Sequence, residues 1–147
     1  MKEMRRLSSK GLAWLVLTFV LLLGGHVTAS AQTARVGREF KIKAGRTVTL
    51  DGGNLRLRFA RVASDSRCPV DVTCVWAGNA EIVVEVSARG WRGWRTLRLN
   101  TNASPERPGE GEYRRYTVKL VELSPQPHSK RKIPAGRYTA TLLVSKE

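Results

Sequence analysis

From residue 32 onward the chain is dominated by period-two alternation of apolar and polar side chains, and helical spacing is almost absent. Phe40 and Ile42 alternate with Glu39, Lys41 and Lys43; Val48 and Leu50 with Thr47 and Thr49; Leu55, Leu57 and Phe59 with Arg56 and Arg58. Ala80, Ile82, Val84 and Val86 alternate with Glu81, Val83 and Glu85, and Leu97 and Leu99 share one side of a run from Trp94 to Leu99. Tyr116, Val118 and Leu120, then Tyr138, Ala140, Leu142 and Val144, complete the set. Each run has one apolar face, and an apolar sheet face needs a second sheet to cover it. The pattern therefore predicts an all-β domain, a seven-stranded antiparallel immunoglobulin-like β-sandwich, with a small closed β-barrel as the alternative.

The connections carry turn chemistry. Asp51-Gly52-Gly53-Asn54 reads as a hairpin turn, because its glycines accept positive φ. Residues 63–79 hold both cysteines. Thr101 to Glu112 is polar, with Pro105, Pro108, Gly109 and Gly111, and reads as a mobile surface loop. A third break, Ser124 to Lys132, carries Pro125, Pro127, His128 and the run Lys130-Arg131-Lys132.

The first 31 residues break the alternation and read as an address. Lys2, Arg5, Arg6 and Lys10 precede an apolar stretch, Leu12 to Leu23, interrupted only by Thr18. Ala29-Ser30-Ala31 then supplies the small-x-small pattern of a signal-peptidase site. An apolar run of about a dozen residues is short of the roughly 20 that span a bilayer. The expected organisation is a cleaved secretory signal peptide, 1–31, and a single β-sandwich domain, 32–147, with no transmembrane segment after cleavage. The protein is then exported, to the periplasm or the extracellular space.

Charge adds a second layer. The chain holds 26 Lys plus Arg against 12 Asp plus Glu. Without Lys2, Glu3, Arg5, Arg6 and Lys10, residues 32–147 keep 22 basic and 11 acidic side chains, a net of +11. Of these 22, 16 are Arg, whose planar fork grips carboxylate and phosphate in a way Lys does not.

Five residues separate Cys68 from Cys74. In an exported chain such a pair persists as a disulfide. Trp76 is expected to cover that bond, and Asp65 to cap the turn through backbone N–H groups. Copper-thiolate chemistry wants histidine or methionine partners, and beyond residue 31 only His128 is present. No metal and no cofactor is therefore expected.

The stretch DSRCPVDVTCVWAGNA, Asp65 to Ala80, resembles a loop found in a group of small, secreted, functionally uncharacterised bacterial β-proteins. These share a signal, paired strands, the Cys-Pro loop and a final Gly-x-Tyr strand, here Ala135 to Tyr138. The resemblance implies an exported β-domain and no particular activity. A weaker likeness is to immunoglobulin-like domains. Ile133 to Tyr138 is similar to their corner, in which a tyrosine hydroxyl bonds to upstream backbone.

Catalytic signatures are missing: there is no G-x-S-x-G, H-E-x-x-H, P-loop or G-x-G-x-x-G, and a Ser-His-Asp set would have to use proline-flanked His128. Glu81 and Glu85 share a strand face, the ordinary outcome of a solvated strand. The expectation is a non-enzymatic binding domain of the bacterial cell envelope. Its candidate ligand residues are Trp91, Arg92, Trp94, Arg95 and Arg98, where rings alternate with guanidinium groups. The fitting partners are an anionic envelope polymer, a lipid headgroup or an envelope protein. A structural or accessory envelope domain, or an inhibitor-like protein binder, is the alternative. Gly90 and Gly93 place the turn of a hairpin between strands 80–88 and 94–100. Matching apolar faces pairs Ile82 with Leu99, Val84 with Leu97, and Val83 with Arg98, flanked by Glu81 and Glu85. Trp91 is expected to be the more exposed ring of the tip.

Overall fold

The computed structural model describes residues 32–147; the leader expected over residues 1–31 lies outside the described residues. The strands are β1 (Gln32–Thr33), β2 (Glu39–Lys43), β3 (Thr47–Leu50), β4 (Leu55–Asp65), β5 (Ala80–Ala88), β6 (Arg95–Asn100), β7 (Glu110–Tyr113), β8 (Tyr116–Ser124) and β9 (Thr139–Lys146). One sheet has the order β1-β3-β4-β5-β6 and the other β2-β9-β8-β7. The two sheets form a β-sandwich, and neither closes into a barrel. All neighbours are antiparallel except β1, which runs parallel to β3.

All seven predicted strands are present, but the described residues contain nine. β1 is two residues long, too short to show a period. β7 corrects the reading of Thr101 to Glu112 as a mobile loop. Its inward position is Gly111, where an added Cβ would meet the Leu97 side chain at 3.3 Å. The strand packs on the core through the backbone of Gly111 and the half-buried ring of Tyr113, too little apolar pattern for alternation to reveal it. The residues before it are tied down: the Asn100 N–H donates to the Pro108 carbonyl at 2.9 Å, and Leu120 N–H to the Gly109 carbonyl at 2.9 Å.

The alternating apolar residues fill the space between the sheets. Ile42, Val48, Leu50, Leu55, Leu57, Phe59, Ile82, Val84, Val86 and Leu99 meet Tyr116, Val118, Leu123, Ala140, Leu142 and Val144 in one cluster. The β5–β6 register is the predicted one: Ile82 faces Leu99, Val83 faces Arg98, Val84 faces Leu97 and Val86 faces Arg95. Connectivity is a pair of meanders, β3 to β6 and β7 to β9, with β2 returning beside β9. Immunoglobulin domains instead place non-consecutive strands side by side in their first sheet. The Tyr138 hydroxyl also departs from the immunoglobulin corner, donating to the Asp65 carboxylate of β4 at 3.0 Å rather than to upstream backbone.

The register gives the sandwich two distinct ends. Leu55 pairs with Ala88 and Tyr116 with Lys146 at one end; Asp65 pairs with Ala80 and Ser124 with Thr139 at the other. The 11 residues of β4 separate these ends by roughly 35 Å at about 3.3 Å per residue.

The second end is held by Arg67. Its guanidinium donates to both Asp65 carboxylate oxygens, at 2.8 and 2.7 Å, and to the carbonyls of Leu123 and Pro125. The Arg67 N–H also donates to Asp65, the turn cap expected of that residue. Burial pushes the Asp65 carboxyl up, but Arg67 and Tyr138 outweigh it and hold the group below the usual carboxylate range.

Candidate functional site

The outer face of the first sheet is arginine-rich. Because Leu55, Leu57 and Phe59 point inward, Arg56 and Arg58 point out, and the register sets Arg58 against Glu85 and Arg61 against Val83, which faces Arg98. Arg98 pairs with Glu81 and Arg58 with Glu85. Val83 is buried although it lies outside the core cluster. Its direct neighbours across the strands on this face are Arg61 and Arg98. The outer face of the second sheet is different in kind. There Lys41, Lys43 and Lys119 mix with Glu39, Glu110, Glu112 and Glu122.

The β5–β6 tip extends the arginine face around the first end of the sandwich. Gly90 and Gly93 take φ of 82° and 89°, the left-handed region that lets the chain reverse within Arg89 to Trp94. The tip is pinned at its base, where the Arg89 N–H donates to the Asn54 carbonyl at 2.8 Å. Trp91 is 58% exposed and Trp94 42%, the expected ranking.

The two rings go to different places. Trp94 lies on the sheet face, with the Arg56 guanidinium 5.0 Å from its centroid. Trp91 turns toward the β7–β8 turn, where the Arg114 guanidinium sits 3.1 Å from its centroid. Both are cation–π contacts, which weaken neither charge. Arg114 occupies the turn at φ 60°. Together Asn54, Ala88, Arg89, Trp91, Arg114, Arg115 and Tyr116 line a cleft of about 270 Å³.

The acid beside this cleft is already engaged. Asp51 accepts from the Tyr116 hydroxyl at 2.6 Å and from Lys146 at 2.9 Å. Those two donors hold the Asp51 carboxyl below its ordinary range. Burial, then Asp51, pushes the Tyr116 hydroxyl up. The cleft therefore presents Arg89, Arg114 and Arg115 to any anion that enters, with Trp91 as a flat wall.

The five residues singled out from sequence do not form one cluster. Trp91 belongs to the cleft and Trp94 to the sheet face. Arg92 and Arg95 are exposed around the tip. Arg98 lies further along β6, paired with Glu81. Sequence reasoning missed Arg114, because contact between the 89–94 tip and the β7–β8 turn depends on a strand that alternation does not show.

At the opposite end Cys68 and Cys74 are bonded, as expected. Trp76 does not cover the bond; it is 81% exposed. The reason is local. The Cys68 N–H donates to the Ala77 carbonyl at 3.0 Å and the Ser66 N–H to Asn79 at 2.7 Å, so backbone fills the space beside the disulfide.

Among the described residues, no group of three or more His, Cys, Asp or Glu side chains is arranged to hold a metal, and no helix is long and apolar enough to cross a membrane. Compared with protein-family models, with curated proteins and with solved structures, the chain matches none.

Proposed function

We propose that the protein is an exported, non-enzymatic binding domain that engages anionic polymers of the cell envelope through its arginine and tryptophan surface. The observation that carries this reading is the segregation of arginine. Arg56, Arg58, Arg61 and Arg98 share one sheet face, and Arg89, Arg92, Arg95, Arg114 and Arg115 gather at its adjoining end. Both sheet faces carry glutamate, Glu81 and Glu85 on the first, but a basic surface kept only for solubility has no reason to sort arginine onto one side and lysine onto the other. Guanidinium forks next to indole faces suit phosphate, sulfate or carboxylate groups carried on rings, as in acidic polysaccharides. The disulfide supports an oxidising, exported setting.

Heparin serves as the test polymer. The domain should elute well above about 0.15 M salt, since contacts between arginine and anionic polymers weaken steeply as salt rises. Trp91→Ala and Arg114→Ala should each move elution to lower salt. Both lie on the surface, so they should leave stability within about 0.5 kcal/mol. Lys119→Ala, on the mixed face, should change elution least. Elution below physiological salt, or equal loss from all three substitutions, refutes the proposal.

A further inference from the structure

The end of the sandwich remote from the arginine cleft presents an unusual surface. Val70, Val72, Val75 and Trp76 are all exposed on one short segment, Val75 to 90%. Contiguous exposed apolar side chains mark an interaction site. This segment is also braced, unlike an ordinary loop. The disulfide closes it, Val70 N–H donates to the Pro127 carbonyl at 3.0 Å, and Asp71 accepts from the Ser129 N–H at 2.9 Å and the Ser129 hydroxyl at 2.7 Å. Gly78 lies so close to the Ser66 carbonyl that a Cβ there would stand 1.9 Å from its oxygen. The Asn79 side chain donates to Asn100 at 2.7 Å and accepts from the Asn102 N–H at 3.0 Å, fastening the base of the loop to the chain beyond β6.

The charge around this apolar tip is predominantly positive, three cations against the carboxylate of Asp71. Ser129, bound to Asp71, leads directly into Lys130, Arg131 and Lys132, all exposed. The Ser129 N–H and hydroxyl, with His128 at 3.6 Å, hold the Asp71 carboxyl down at about 2, so it stays ionised and offsets one of these three cations. A convex tip of tryptophan and valine rimmed by lysine and arginine fits the boundary of an anionic bilayer. The ring and valines enter the headgroup region there, and the cations meet lipid phosphates. A groove on a partner protein offers no comparable reason for the cationic rim.

We propose that the disulfide loop is a membrane-docking tip, with Val75 and Trp76 seated in the interface of an anionic bilayer and Lys130, Arg131 and Lys132 on its headgroups. The test uses residues 32–147 with the disulfide intact, and vesicles of phosphatidylcholine with or without phosphatidylglycerol. In a Trp91→Phe/Trp94→Phe background Trp76 is the sole tryptophan of that segment. Its emission should shift to the blue with phosphatidylglycerol vesicles, and much less with phosphatidylcholine alone. Trp76→Ala should weaken co-sedimentation about tenfold by removing the largest inserting side chain. Changing Lys130, Arg131 and Lys132 together to Gln should weaken it roughly a hundredfold, at about fivefold per cation. Heparin elution should survive both changes, which separates this proposal from the polymer-binding one.

Unmoved Trp76 emission overturns the proposal. So does vesicle binding that falls with Trp91→Ala and Arg114→Ala but not with Trp76→Ala, because the bilayer would then be held by the other end. Failure to bind either kind of vesicle also overturns it, and leaves the loop to a protein partner.

Discussion

Removing the Arg67 guanidinium is the sharpest single probe of how the disulfide end is built. The Arg67 and Asp65 side chains are only 8% and 10% exposed, so solvent does little to screen the pair. Arg67→Ala deletes two charge-assisted bonds to Asp65 and the bonds to the Leu123 and Pro125 carbonyls. It leaves the carboxylate with the Tyr138 hydroxyl and the residue 67 N–H. Breaking a buried ion pair from one side costs about 3–5 kcal/mol. The two surviving donors place this case near 3. For a domain of this size that corresponds to a melting temperature lower by roughly 10 °C. Urea and thermal unfolding with the disulfide intact measure it. The double variant Asp65→Leu/Arg67→Met removes both charges and should cost less than Arg67→Ala, because no unpaired carboxylate remains. The pH dependence carries a sign. The folded Asp65 pKa lies below its unfolded value, so the stability it confers is full above about pH 4 and fades as pH falls through the folded value. The gap between parent and Arg67→Ala should therefore narrow below about pH 4. A variant within about 0.5 kcal/mol of the parent, or a double variant worse than the single one, would refute the reasoning.

Two further outcomes follow from the geometry. Arg98→Glu sets a second carboxylate beside Glu81 on an exposed face and should destabilise by roughly 1 kcal/mol, less at high salt; a neutral result in low-salt denaturation would contradict the pairing. Gly78→Ala meets the Ser66 carbonyl while holding φ at 69°, so it should cost more than about 2 kcal/mol and speed proteolysis of the 66–79 loop; parent-like protease resistance would count against that close approach.

Most of the fold was legible because both sheets have one wet face. Ile82, Val84 and Val86 alternate with Glu81, Val83 and Glu85, and a one-residue slip would expose the apolar set, so the register of β5 and β6 follows from matching apolar faces, whereas the two bulges of β4 against β5 left no mark in the pattern. Where packing uses bare backbone and a single ring the signal vanishes. Gly111 puts β7 against Leu97 through bare backbone, which is why the polar stretch before β8 read as a loop. The same gap concealed half of the candidate site. Trp91 could be identified as an exposed ring at a glycine-rich tip, but its partner Arg114 sits on a turn that exists only if β7 does. Trp76 failed for another reason. Proximity to a cysteine in sequence says a ring is near the disulfide, and the hydrogen bonds from Ser66 and Cys68 decide which way it faces.

The two ends divide the work the surface proposes. At physiological ionic strength a charge is screened within about 8 Å, while the ends stand roughly 35 Å apart along β4. The arginine cleft and the disulfide tip therefore do not sense each other's charges through solvent, and the continuous core between them gives one body rather than two hinged parts. Each end also holds its own acid by hydrogen bonds: Asp51 accepts from Tyr116 and Lys146, and Asp71 accepts from Ser129, both staying ionised. On the two proposals together, the domain is a small rigid spacer that holds an anionic polymer at a fixed height above an anionic bilayer. On this reading 12 of the 22 basic residues of 32–147 form two separate recognition surfaces, distinguished by what accompanies the cations: stacked indole rings and a cleft at one end, an exposed apolar tip at the other.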